Sequence, residues 1–138
     1  MMRKSIVSAL LVGLVGVASA AVADPAGFNV FNATSVPITV NVKSAPIKYP
    51  DVQSNSYGTQ PIKATWDMVK LICIGQLDSC PADIIYKGQT QTIHLDVNTQ
   101  TVPDLALLGN IGLVGTIVNP DPASTPIANS FVVRVVAQ

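Results

Sequence analysis

Apolar and polar residues alternate with a period of two in parts of this chain, and this pattern constrains the fold most strongly. In residues 89–98, Ile93, Leu95 and Val97 occupy one set of alternate positions, and polar residues occupy the other set. In residues 36–42, every even-numbered position is Val or Ile. Successive side chains of a β-strand point to opposite faces, so both segments are predicted to be half-buried strands.

One stretch, residues 66–97, is predicted to be the centre of the fold. It contains the only tryptophan, the only histidine and both cysteines. The predicted order is an apolar strand ending at Cys73, a loop closed by Cys80, a brief strand, a turn at Lys87 and Gly88, and an alternating strand. Residues 66–74 are apolar on both faces when read as a strand. That pattern predicts a central strand, or a strand covered on both sides.

Further strand-like segments separated by turn signals lie on either side of this stretch. They are residues 28–31, 36–42, 111–118 and 130–137, and the proline-rich residues 119–126 are expected to form a turn between the last two. No amphipathic helix is expected after the N-terminal segment. About seven or eight short strands of this kind predict an all-β fold, an antiparallel β-sandwich that is Ig-like in the broad sense. A small β-barrel is the alternative.

The N-terminal segment has the three parts of a secretory signal peptide. Arg3 and Lys4 supply a basic start, residues 5–17 are uncharged and mostly apolar, and small residues precede both Ala20 and Ala23. We predict a signal peptide over residues 1–23 with cleavage after Ala23, and cleavage after Ala20 is the close alternative. Residues 24–138 then form a single domain, with no membrane span after signal removal. The predicted location is periplasmic, cell-surface or extracellular.

Charge disfavours nucleic acid as a partner. Removing Arg3 and Lys4 leaves 8 − 2 = 6 basic residues against 8 acidic ones, a net charge of −2. The remaining basic residues are scattered and do not cluster. A nucleic-acid-binding surface needs a basic patch, which this chain does not contain.

Cys73 and Cys80 are predicted to form a structural disulfide. An even pair of cysteines in an exported chain usually pairs, and a ring this small adds about 2–3 kcal/mol of stability. The alternative is a redox-active pair. Six residues separate the two cysteines, whereas catalytic dithiols are usually spaced as C-x-x-C, so the structural reading is favoured.

No catalytic, cofactor or metal site is predicted. His94 and Asp96 share a strand face, but no second histidine and no free cysteine complete a zinc site. No phosphate-binding loop or dinucleotide fingerprint is present. His94 is placed on the solvated face, and a hydrolase built on His94 and one aspartate is the minority alternative.

Residues 44–61 are predicted to form a long loop, because three prolines and several small polar residues fall within them. Tyr49 and Tyr57 are its aromatic residues, and we expect both to be exposed contact residues for a protein partner or a glycan. The alternative is that the rings hold the loop against the core.

These observations predict an exported, non-enzymatic structural or adhesive protein of the surface or envelope. It would act through strand-edge or loop contacts and could self-associate. The second hypothesis is a small monomeric secreted binding module or inhibitor that uses residues 44–61. Fold analogy alone does not decide between them.

Overall fold

The computed structural model describes residues 23–45, 48–60 and 62–138, and the predicted signal peptide lies outside these residues except for Ala23. Within these ranges, eight strands form two sheets that pack face to face. They are β1 (Gly27–Asn32), β2 (Thr39–Val42), β3 (Ser56–Tyr57), β4 (Ala64–Thr65), β5 (Cys80–Tyr86), β6 (Gln89–Leu95), β7 (Leu113–Asp121) and β8 (Ser130–Ala137).

The sheet topology confirms the predicted β-sandwich and not the barrel. One sheet has five strands in the order β3-β1-β8-β7, with β4 also paired to β1, and the other has the order β2-β5-β6. The prediction of purely antiparallel sheets needs one correction. Strand β1 pairs with β8 in parallel, with Phe28 opposite Phe131 and Asn32 opposite Val135.

The inner faces of the two sheets form the core, as the alternating patterns predict. Ile93 and Val97 are 5% and 4% exposed, and Ile38 and Val40 are 0% and 3% exposed. In β8 the residues on the core side are Phe131, Val133 and Val135. The half-buried character of the predicted strands is therefore confirmed.

The predicted strand over residues 66–74 is wrong, and so is the expectation of no helix. Residues Trp66–Ile72 form an α-helix, α1. The Thr65 hydroxyl caps its N-terminus by accepting a hydrogen bond from the Met68 backbone N–H at 3.3 Å. An acidic residue in the first turn, Asp67, and a basic one in the last, Lys70, complement the helix dipole.

Helical spacing also explains why residues 66–74 have apolar residues on both faces when they are read as a strand. Trp66, Val69 and Cys73 recur at helical intervals and are buried, whereas Met68 and Leu71 are exposed. Because these two apolar residues are exposed, the helix has no polar face that the sequence would reveal as an amphipathic pattern.

The two cysteines connect α1 to the three-stranded sheet. Cys73 follows the helix, Cys80 begins β5, and their sulfur atoms lie at the distance of a disulfide bond with Cα atoms 5.5 Å apart. Both residues line an apolar cavity of about 70 Å³ between the sheets. Ligand pockets usually measure about 300–1,000 Å³, so this cavity is a gap in core packing.

A 3₁₀ helix over Leu105–Ile111 closes one side of the sandwich between the edges of β6 and β7. Its Leu108 and Ile111 are 0% and 5% exposed. Strand β7 begins after this helix, later than predicted, and continues through Pro120 to Asp121, so the predicted turn starts too early. A register shift between Val118 and Asp121 accommodates the extension.

Gly115 in β7 allows the 3₁₀ helix to approach. A Cβ atom at this position would lie 2.8 Å from Leu105 and 3.0 Å from Leu108. We expect Gly115→Ala to lower the free energy of unfolding by about 1 kcal/mol, because the overpacking cost exceeds the backbone gain. Chemical denaturation measures the change.

Gly109→Ala is the matched control. Its added Cβ would meet Gln138 only at 3.7 Å, an ordinary contact, so stability should stay the same or rise slightly. Equal stabilities of the two variants would contradict the proposed close approach.

Candidate functional site

The two tyrosines of the 44–61 loop have different environments. Tyr49 is 9% exposed and belongs to the core, where burial raises its pKa. The expectation that Tyr49 is exposed is therefore wrong, and its ring holds the loop against the core instead. Tyr57 is half-buried in β3, and its role as a contact residue stays a prediction.

Tyr57 begins a row of four side chains that crosses the outer face of the five-stranded sheet. Strand register places Phe31 opposite Tyr57 and opposite Arg134, and Thr116 opposite Arg134. The Tyr57 and Phe31 rings meet edge to face with centroids 4.8 Å apart. The Arg134 guanidinium lies over the Phe31 ring, 4.8 Å from its centroid. Such cation–π contacts hold a guanidinium in position without neutralising it.

The two ends of the aromatic pair have opposite charge. The Tyr57 hydroxyl donates to Asp121 Oδ2 at 3.0 Å. Burial raises the pKa of Tyr57, Asp121 raises it further, and the positive charge of Arg134 opposes both. Asp121 is thus occupied by Tyr57, and Arg134 forms no salt bridge with any residue of the described ranges. The guanidinium donors therefore remain available for an anionic group from outside the chain.

Two valines extend this surface along β7 and β8. Val114 lies opposite Val136, and Val114 is 44% exposed. We call the whole surface the aromatic–arginine face, and its residues are Phe31, Tyr57, Val114, Thr116, Arg134 and Val136. It combines aromatic rings, one guanidinium and aliphatic side chains, a composition typical of the energetically important part of protein–protein interfaces.

A second exposed surface lies on α1 and the turn after it. Met68, Leu71 and Ile74 are 48%, 63% and 71% exposed, and Asp67 is exposed beside them. We call these four residues the α1 patch. The patch could not be predicted from the sequence, because residues 66–74 have the pattern of a strand with two covered faces.

His94 is on the solvated side of β6, as predicted, and has a partner that the sequence did not indicate. Asp104 accepts two hydrogen bonds from it: Oδ1 from the His94 backbone N–H at 2.9 Å, and Oδ2 with ring Nδ1 at 2.7 Å. Burial favours a higher pKa for Asp104, but the hydrogen bonds from His94 and its charge outweigh this and lower the pKa. The pair fastens the start of the 3₁₀ helix to the edge of β6.

Asp96, the other candidate partner of His94, lies elsewhere in the hydrogen-bond network. Its backbone pairs with Thr101, and its side chain accepts from the Thr99 backbone N–H at 3.0 Å. Within the described part of the chain, no three His, Cys, Asp or Glu residues are grouped closely enough to hold a metal ion. No helix among these residues is long and apolar enough to cross a membrane.

Comparison with known proteins gives little further information. No family model matches the chain, and no curated protein matches it. The chain is similar to a solved structure, that of the Legionella pneumophila type II secretion system substrate NttC. The likeness covers 83% of this chain and 99% of that chain, with 13% sequence identity and a TM-score of 0.49. A likeness at this level establishes no shared function.

The Asp104–His94 contact predicts a pH-dependent contribution to stability. Because the pKa of Asp104 is lower in the folded state than its ordinary value of 3.8, its carboxylate stabilises the fold above that pH. This stability is lost as the pH falls through the folded pKa. We expect Asp104→Asn to cost about 1 kcal/mol at pH 5, and the difference between the two proteins to shrink as the pH falls below 3.8 and through the folded pKa.

Urea denaturation at several pH values measures this difference. Asp78→Asn is the control, because Asp78 is exposed and its side chain forms no hydrogen bond or salt bridge with a described residue. A stability loss in Asp104→Asn that does not shrink as the pH falls below 3.8 would contradict the assignment.

Proposed function

We propose that this protein is an exported, non-enzymatic structural or adhesive protein that binds another protein through its aromatic–arginine face. The observation that carries the proposal is the Tyr57–Phe31–Arg134 row, which places two aromatic rings and a guanidinium that has no salt bridge to a described residue on one solvent-facing surface. Tyrosine and arginine are enriched among residues that dominate binding energy. The expected partner group is a carboxylate beside apolar side chains.

The condition of the strand edges favours contacts through a sheet face over contacts through an edge. Strand β2 has four residues, and β3 and β4 have two each. The edge of β6 is partly occupied by Asp104, and the 3₁₀ helix lies beside both β6 and β7. Short or covered edges hinder addition of a foreign strand. The sequence predicts contacts through a strand edge or through residues 44–61. Contacts through Tyr57, which lies in residues 44–61, therefore have stronger support than contacts through an edge.

Export is supported by the cysteines and by the N-terminal sequence. The sulfur atoms of Cys73 and Cys80 lie at bonding distance, and persistent disulfides are typical of proteins outside the reducing cytosol. Residues 1–23 have the composition of a signal peptide. Periplasmic, cell-surface and extracellular locations all fit these two observations.

A structural role accounts for His94 better than a hydrolytic one does. The contact between Asp104 and His94 Nδ1 resembles the orienting half of a Ser-His-Asp arrangement. Among the described residues, however, no hydroxyl forms a hydrogen bond with the other ring nitrogen, Nε2. Asp104 also binds the His94 backbone, which is a structural contact.

Site-specific photo-crosslinking in the producing cells tests the proposed face. A photoreactive side chain at the exposed Thr116 should crosslink to a protein, whereas the same group at Thr90, exposed on the other sheet, should not. Arg134→Ala should reduce the Thr116 adduct about tenfold, equivalent to a loss of about 1.4 kcal/mol. Mass spectrometry identifies the protein in the adduct.

Lys87→Ala is the matched control, because this cation also lies over an aromatic ring, that of Tyr86 at 5.3 Å, but on the other sheet. It should leave the adduct unchanged. Equal adducts from Thr116 and Thr90, or an adduct that is insensitive to Arg134→Ala, would exclude the proposed face. A glycan partner would give no protein adduct at either position.

A further inference from the structure

We propose that the partner is a second copy of this chain, and that the α1 patch of one copy binds the aromatic–arginine face of the next. This inference rests on the proposed function, since it names the partner of the same face. It follows from two surfaces of the same molecule that are both partly apolar and that carry opposite charges.

The apolar side chains of the α1 patch do not pack against the core in the described part of the chain. Leu71 and Ile74 are more than half exposed, while the core side of α1 is already supplied by Trp66 and Val69. Adjacent exposed aliphatic side chains are a usual mark of an interaction site. Two of the three, Met68 and Leu71, lie one helical turn apart and thus on one side of the helix.

The patch also contains a carboxylate that is in no salt bridge with a described residue. Asp67 is exposed, and the pKa of its neighbour Lys70 is raised mainly by the hydrogen bond to Asp24 and less by the charge of Asp67, so that Lys70 forms its salt bridge with Asp24. On the aromatic–arginine face the positive group is the one without a salt bridge. Arg134 has no carboxylate partner among the described residues, and the nearby Asp121 accepts a hydrogen bond from Tyr57 instead.

Each surface therefore offers what the other lacks. Docking would bring Met68, Leu71 and Ile74 onto the exposed edges of Phe31, Val114 and Val136, and would bring Asp67 to Arg134. An arginine–carboxylate pair at the margin of an apolar contact adds orientation as well as energy.

The two surfaces lie on different sides of the molecule. Trp66 of α1 packs against Phe131 in the core, with ring centroids 5.7 Å apart, whereas Phe31 and Arg134 lie on the outer face of the same sheet. A contact between two different surfaces is heterologous, so each copy keeps one surface free for another copy. We therefore expect association to continue beyond the dimer. With six residues on the face and four on the patch, we expect each contact to be as weak as transient interfaces are.

Charge exchange tests the inference directly. The mature wild-type protein should show an average mass that rises with concentration between about 10 µM and about 1 mM in sedimentation experiments. Arg134→Asp and Asp67→Arg should each weaken association about tenfold, because each places like charges in the contact. Lys87→Asp, on the other sheet, is the control and should associate like the wild type.

Mixing distinguishes direct pairing from a general effect of charge. In an equimolar mixture two favourable contacts are possible. The negative face of the Arg134→Asp variant can bind the positive patch of the Asp67→Arg variant. The unchanged face of the Asp67→Arg variant can bind the unchanged patch of the Arg134→Asp variant. The mixture and the double variant should both associate like the wild type. Thermal unfolding of each variant shows that it is folded.

Two results would overturn the inference: a wild-type protein that is monomeric throughout, or single variants that lose association without recovery in the mixture or double variant. The crosslinking experiment tests the proposed function separately from self-association. A Thr116 adduct with a different protein, sensitive to Arg134→Ala, would remove self-association and keep the function of the face. Absence of any protein adduct at Thr116 would remove both.

Discussion

Parallel pairing of β1 with β8 is the contact on which both sides of the five-stranded sheet depend. On the core side it places Phe28 beside Phe131, with ring centroids 6.0 Å apart, and Trp66 packs on the same Phe131. On the outer side the same register places Phe31 beside Arg134. One ladder thus determines the largest aromatic cluster of the core and the only row of aromatic and cationic side chains found on this sheet within the described residues.

The closed side of the sandwich limits how such a domain can meet a partner. The 3₁₀ helix lies between β6 and β7, Gly115 provides the space for Leu105 and Leu108, and Asp104 fastens the helix start to His94. These contacts leave little unpaired strand edge on this side. Because the edges are short or covered, the contacts proposed for this domain lie on the exposed sheet face and on α1.

Only part of the candidate site could be predicted from the sequence. Tyr57 and Tyr49 are both aromatic residues of a predicted loop, but Tyr49 is buried in the core, whereas Tyr57 is half-buried on the sheet. Arg134 could be placed on a face of its strand, yet nothing in the sequence placed β1 beside it. The α1 patch was hidden, because exposed aliphatic residues give a helix the pattern of a buried strand.

The sequence by itself determined the β-sandwich class, the inward residues of most strands and the cysteine pair, because period-two alternation and short cysteine spacing are local properties. Only the tertiary structure decided that Trp66–Ile72 is a helix, that β1 runs parallel to β8, and that Asp104 reaches His94. Alternation establishes which residues share a face of a strand, but it carries no information about which strand lies next to it. That choice depends on packing between distant segments, which is where the aromatic–arginine face arises.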